Sequence, residues 1–167
     1  MKHSASVRTI YIATLLAMVS ILFSACSTAQ PVTASIEEIK VAINENRWVF
    51  IAERSDPPIG RSTQLSLGYE VRCSGDTAVF NLPYSGTMQG PARFPDGKGP
   101  LDFTSLKFTI SKVEKSPGKW LVSLKPRDVS DVLSANFIFF ENGKASLDVI
   151  LSNRTPMDFF GRIEPLR

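Results

Sequence analysis

The feature that most constrains this chain is an alternation of apolar and polar residues with a period of two, which recurs from residue 48 to residue 163. A strand turns successive side chains to opposite faces, so such runs fold as sheet with one face buried. The cleanest run is 64–73, with Leu65, Leu67, Tyr69, Val71 and Cys73 on one face and Gln64, Ser66, Gly68, Glu70 and Arg72 on the other. The same period returns in Ala78/Phe80/Leu82, Leu106/Phe108/Ile110, Trp120/Val122/Leu124 and Leu133/Ala135/Phe137/Phe139. It continues through Ala145/Leu147/Val149/Leu151 and Met157/Phe159/Gly161/Ile163, and with 48–53 placed first these runs predict eight strands. Short turn signals such as Ser74-Gly75-Asp76, Ser116-Pro117-Gly118 and Glu141-Asn142-Gly143 separate most of them. Links this short join antiparallel neighbours, which makes the sheet a meander.

A second apolar set, Val49, Ile51, Ile138, Phe140, Ile150 and Phe160, falls on the opposite face of strands one, six, seven and eight. If strand eight meets strand one, the set forms a single outer patch. Upstream, Ser35-Ile36-Glu37-Glu38 has the pattern of a capping box, and Ile36, Ile39 and Ile43 form one stripe of a helix running to about Asn44. That stripe is expected to cover the outer patch, with a dimer interface as the alternative use of it. The fold class is therefore mainly β: an N-terminal helix followed by an eight-stranded antiparallel meander, closed or nearly closed as an up-and-down barrel. A barrel avoids the exposed edges of an open sheet; a two-sheet sandwich is the alternative. The inward set is bulky, so the interior is expected to be mostly filled by side chains.

Ahead of the helix the character changes. Lys2, His3 and Arg8 precede an uncharged, mostly apolar run of 15 residues, 9–23, which suits a signal peptide and is shorter than the ~20 residues needed to span a bilayer. The run ends in Leu22-Phe23-Ser24-Ala25-Cys26, which resembles the lipobox of bacterial lipoproteins, with Phe23 where leucine is usual. The resemblance implies cleavage after Ala25 and a diacylglyceryl thioether on Cys26. Cleavage after Ala29, or an uncleaved anchor, are the competing readings. The expected organisation is a lipoprotein signal peptide at 1–25, a lipidated cysteine and tether at 26–34, and a single β-rich domain at 35–167. Two or three acyl chains hold a protein firmly at a membrane.

Removing the first 25 residues leaves 142, enough for one well-buried core. The whole chain carries 19 basic and 16 acidic residues, but Lys2 and Arg8 lie in a leader without acids, so the remainder is close to neutral. Interspersed charges of both signs give no basic patch, and no nucleic-acid partner is expected. Cys26 and Cys73 are the two cysteines; if one carries lipid, the other has no disulfide partner, and its place in an alternating run predicts a buried, unreactive thiol.

Several segments together are similar to a known group: 52–62 (Ala52-Glu53-Arg54-Ser55-Asp56-Pro57-Pro58-Ile59-Gly60-Arg61-Ser62), Leu82-Pro83-Tyr84-Ser85-Gly86, Lys125-Pro126-Arg127-Asp128-Val129, Ser152-Asn153-Arg154-Thr155-Pro156-Met157 and Phe159-Phe160-Gly161. They resemble domain-of-unknown-function family 4251, envelope proteins of Bacteroides-group bacteria that usually carry a lipoprotein leader. The similarity runs from about residue 46 to 163. It implies location, at the periplasmic face or the cell surface, and brings no activity or catalytic residues. The acidic residues that often follow the cysteine in surface-exported lipoproteins of that group are absent from 27–34, which favours the periplasmic face.

His3 is the one histidine and lies in the leader, which removes Ser-His, Cys-His and histidine-based zinc chemistry from the domain. No metal, cofactor or catalytic residue is assigned. Glu53, Asp56, Glu70, Asp76, Asp128 and Asp131 are left for carboxylate chemistry, but each sits on a polar face or at a turn, where solvated charge is the ordinary state. The unusual segment is 83–100, an 18-residue link with four prolines and four glycines. A loop of that length in a compact domain either serves a function or packs over the barrel end. Arg61, Tyr84, Arg93, Phe94 and Arg154 are the candidate contacts for a ligand or partner. The expected function is a non-catalytic binding module held at a membrane by its lipid, taking an envelope protein or a small apolar or glycan ligand through the 83–100 loop and the barrel rim; its oligomeric state is left open, with a monomer favoured. A purely structural envelope protein is the second reading and a carboxylate hydrolase the third.

Overall fold

The architecture comes from a computed structural model, described here over residues 34–87 and 99–166. The leader, Cys26, the tether up to residue 33, the 88–98 part of the long link with Arg93 and Phe94, and residue 167 lie outside the described residues.

The first element is α1 (Ile36–Glu45), and it starts where the capping box requires. Ser35 Oγ accepts from Glu38 N at 3.3 Å, and Glu38 Oε2 accepts from Ser35 N at 2.8 Å. Asn46 ends the helix in the left-handed region at φ 56°, a conformation that asparagine tolerates better than most side chains. The last turn has no basic residue of its own. Lys112 supplies the charge from the far side of the sheet, its Nζ donating to the carbonyls of Ile43 (3.1 Å) and Asn44 (2.7 Å). A cation there complements the partial negative charge of the helix end.

Ten strands follow: β1 (Arg47–Asp56), β2 (Thr63–Gln64), β3 (Glu70–Ser74), β4 (Thr77–Asn81), β5 (Asp102–Ser105), β6 (Phe108–Ser116), β7 (Lys119–Pro126), β8 (Val132–Phe140), β9 (Lys144–Leu151) and β10 (Met157–Pro165). They form one antiparallel sheet in the order β5-β4-β3-β1-β10-β9-β8-β7-β6, with β2 also paired to β1. The last strand meets the first, as expected, and the up-and-down sheet curls into a half-barrel. Its two edges, β5 and β6, are consecutive in the chain, separated by Leu106 and Lys107 alone. Asp128 secures that bend: Oδ1 accepts from Ser105 Oγ at 2.5 Å and Oδ2 from the amides of Leu106 (2.8 Å) and Lys107 (3.1 Å).

Three expectations are corrected. Residues 64–73 are not one strand, because Gly68 adopts φ +108° and breaks the run between β2 and β3, leaving Leu67 91 % exposed. Ile36 does not join the helix stripe but is exposed; the buried face is Ile39, Ala42 and Ile43. Nor does α1 cover the outer patch. Its buried residues belong to the inner cluster with Trp48, Phe50, Phe137, Phe139 and Ile163. A half-barrel leaves its inner face open to water, and burying apolar surface there is the larger gain. The interior is filled mainly by aromatics, with Trp48 edge-on to Phe137 at 4.9 Å and to Phe139 at 5.1 Å. The outer face is thereby left without a covering helix.

Candidate functional site

The strand register places the outer-facing side chains in rungs that run across the sheet. One rung is polar. Asp56 lies opposite Asp158, Asp158 opposite Asp148, Asp148 opposite Asn136, Asn136 opposite Ser123, and Ser123 opposite Ser111. Two residues along each strand lies a second rung, Arg54, Phe160, Ser146, Ile138, Leu121 and Val113. Serines 111, 123 and 146 are short, so the larger neighbours stand around a depression. This trough has a volume of about 620 Å³ and runs from β6 to β10, with Asp148, Asp158 and Asn136 on one side and Phe160, Ile138, Leu121 and Val113 on the other. It lies within the size range of small-molecule sites.

The electrostatics along the polar rung are uneven. Asp56 is held by Arg54 through two 3.0 Å hydrogen bonds, and its carboxyl is drawn below the usual range by hydrogen bonds from Ser62 and Arg54. The Arg54 guanidinium lies 4.5 Å from the Phe160 ring centre, which fixes one wall of the trough. Asp148 accepts from Asn136 Nδ2 at 3.4 Å, and Asn136 Oδ1 in turn accepts from Ser123 Oγ at 2.8 Å. Asp158 has no hydrogen-bond or salt-bridge partner among the described residues. Partial burial pushes its carboxyl above the usual value, and the charges of Asp148 and Asp56 push it the same way. No group of three or more carboxylate, cysteine or histidine side chains among the described residues is placed to hold a metal ion.

The residues singled out from sequence fall elsewhere. Tyr84 and Arg154 do come together, beside the turn between β9 and β10. Tyr84 Oη donates to the carbonyl of Thr87 at 2.8 Å and lies 3.2 Å from Thr155 Oγ1, while the Arg154 guanidinium sits 5.9 Å from the Tyr84 ring centre. The Arg154 side chain is 7 % exposed and reaches Asp131 at 3.4 Å. These contacts fasten the start of the long link to the sheet. Arg61 is exposed in the connection between β1 and β2, and Thr63 Oγ1 donates to its carbonyl. Cys26, Arg93 and Phe94 are outside the described residues. Cys73 is fully buried, and desolvation pushes its thiol up to about 11, so it is protonated and unreactive at neutral pH.

Asp148 and Asp158 were not among the carboxylates that the sequence singled out. Their signal was present in a pattern that crosses strands. Ser111/Val113, Asn136/Ile138 and Asp158/Phe160 read polar then apolar at a spacing of two, whereas Leu121/Ser123 on the strand running the other way reads in reverse. Aligning them requires the register, which single-strand periodicity does not supply.

A family model described as a domain of unknown function, DUF4251, matches residues 32–163. The fold is similar to a crystal structure of a DUF4251 family protein from Bacteroides eggerthii, with a TM-score of 0.57 at 15 % identity, covering 80 % of this chain and 89 % of that one. No curated protein matches the chain.

Proposed function

This chain belongs to the DUF4251 family, and on that premise we propose that it is an exported, lipid-anchored, non-catalytic binding module that holds a small amphipathic ligand in its outer trough. The observation that carries this reading is the trough itself: about 620 Å³, with an apolar wall and a polar wall on a rigid sheet. Sites built on strands hold their side chains more firmly than sites on loops. The Tyr84–Arg154 contacts favour the trough over the long link as the place of binding, because they use the polar groups of those residues within the fold. Binding is favoured over hydrolysis because Asp148 and Asp158 stand side by side on one sheet face. Glycoside hydrolysis by a carboxylate pair needs the two groups flanking the scissile bond. The anchor rests on the 15-residue apolar run and the cysteine that ends it, and would place the module at the envelope, with the periplasmic face preferred.

Ser146→Trp tests the trough. Ser146 points outward between Phe160 and Ile138, so an indole there fills the depression without entering the core. Wild type and variant are purified from native envelopes and their bound small molecules extracted and weighed by mass spectrometry. A compound recovered with wild type and lost with Ser146→Trp is the expected result. Identical small-molecule content in both would refute the trough as the site.

A further inference from the structure

We infer that the ligand of the trough is a cationic amphiphile, with an ammonium or guanidinium head against Asp148 and Asp158 and an apolar body along Ile138, Leu121 and Val113. This rests on the reading of the trough as a binding site and names the chemical class it takes. Three observations lead there. Asp148 and Asp158 are directly opposite in the register, and like charges so placed on adjacent strands destabilise the sheet. No salt bridge joins either carboxylate to a cation among the described residues, and Arg54, the cation of the neighbouring rung, is held by Asp56. The pair therefore has no ion-pair partner among the described residues: Asp148 accepts from the neutral amide of Asn136, and Asp158 has no hydrogen-bond partner there.

The second observation is that the neighbouring rung is apolar and partly exposed, Val113 at 58 % and Phe160 at 40 %. A bare cation would leave that wall in water, whereas an amphiphile covers it and gains the hydrophobic contribution. The third is that no group of three or more carboxylate, cysteine or histidine side chains among the described residues is placed to hold a metal ion. A single-headed organic cation needs only the two carboxylates. An anionic amphiphile would meet them with like charge, and a neutral one would leave them uncompensated.

The test uses the whole chain held in phosphatidylcholine nanodiscs and three probes of one chain length: octylammonium, 1,2-octanediol and octanoate. Binding is followed by calorimetry and by the amide shifts of Ser146, Asp148, Asp158 and Phe160. Octylammonium should bind at least about fivefold tighter than the diol, the scale of one to two partly exposed ion pairs, and octanoate should bind most weakly. The Asp148→Asn/Asp158→Asn double variant should bring octylammonium and the diol to within about twofold of each other. Both positions are on the outer face, and an unchanged urea midpoint for the variant verifies that it folds. Equal binding of octylammonium and diol to wild type, or a preference that survives the double substitution, overturns the cationic head while leaving the trough as a site. If none of the three probes moves the trough amides, the trough reading itself falls.

Discussion

Gly161→Ala offers the sharpest check on the sheet that carries the trough. Gly161 lies on β10 opposite Ala52 of β1, where the register slips by one residue between Ala52 and Arg54, so Glu53 is an extra residue bulged out of the ladder. The bulge brings the two backbones close. A Cβ at position 161 would run into the carbonyl oxygen of Ile51 and come within 3.0 Å of that carbonyl carbon and 3.1 Å of Glu53 N. All three are backbone atoms in a pairing near the middle of the sheet, so relief requires the strands to part. Two effects compete. Replacing glycine by alanine in a strand normally gains about 0.5–1 kcal/mol through the unfolded chain. Forcing extra volume into a packed site costs about 1–3 kcal/mol, with the high end expected where no side chain can rotate away. The net is a loss of about 2 kcal/mol, or a melting temperature lower by roughly 6–10 °C for a domain of this size. Urea unfolding followed by the fluorescence of the buried Trp48 and Trp120 measures it directly. Gly99→Ala is the control, because a Cβ there meets nothing within 4 Å, and it should change stability by less than about 0.5 kcal/mol. A Gly161→Ala protein as stable as wild type would show that the bulge does not bring the backbones together as described.

The β5–β6 bend, the end of α1 and the leader each offer a further check. Asp128→Asn should destabilise the fold at neutral pH and flatten its acid sensitivity. The Ser105 hydroxyl and the amides of Leu106 and Lys107 hold the Asp128 carboxyl below the usual range. Its contribution is therefore complete above the ordinary carboxylate pKa and lost as pH falls through the lowered folded value, and urea midpoints between pH 7 and pH 2 read that window. Lys112→Met, which keeps the alkyl stem and removes the ammonium, should cost about 1–2 kcal/mol by uncapping the carbonyls of Ile43 and Asn44; an unchanged urea midpoint would contradict it. Cys26→Ser should abolish palmitate labelling and release the protein from the membrane fraction, and a wild type without label would defeat the lipid anchor.

The legible parts of this fold are those that a single stretch of chain decides. The capping box of α1 reads from Ser35 and Glu38 because both partners lie within one turn. The inward faces of β7, β9 and β10 read from alternation because burial repeats every second residue there, and so does β8 from Ala135 to Phe139; Leu133, placed inward by the same pattern, is exposed where the register slips. What did not read was decided between strands. Leu65, Leu67 and Tyr69 alternate as well as any run in the chain, yet the chain turns at Gly68; the apolar alternation runs straight through it, and the glycine is the one local sign of the turn. The side chosen by α1 was hidden for a related reason: Ile39 and Ile43 fit either apolar face, and the choice was made by how far the sheet curls and by a lysine 69 residues further on.

The same division explains why the trough escaped notice while the long link attracted it. Loops announce themselves by composition, and 83–100 does so with its prolines and glycines. A site on a sheet face is assembled two residues at a time from five strands, none of which is unusual by itself. What marks the proposed site is not a motif but a like-charge pairing, Asp148 against Asp158, without an ion pair among the described residues, in a sheet that pairs Asp56, Glu53 and Glu164 with arginines. A fold that pairs its neighbouring carboxylates with arginines and leaves one adjacent pair without an ion pair beside an apolar wall gives the proposed ligand its charge, because like charges directly opposite on adjacent strands destabilise a sheet.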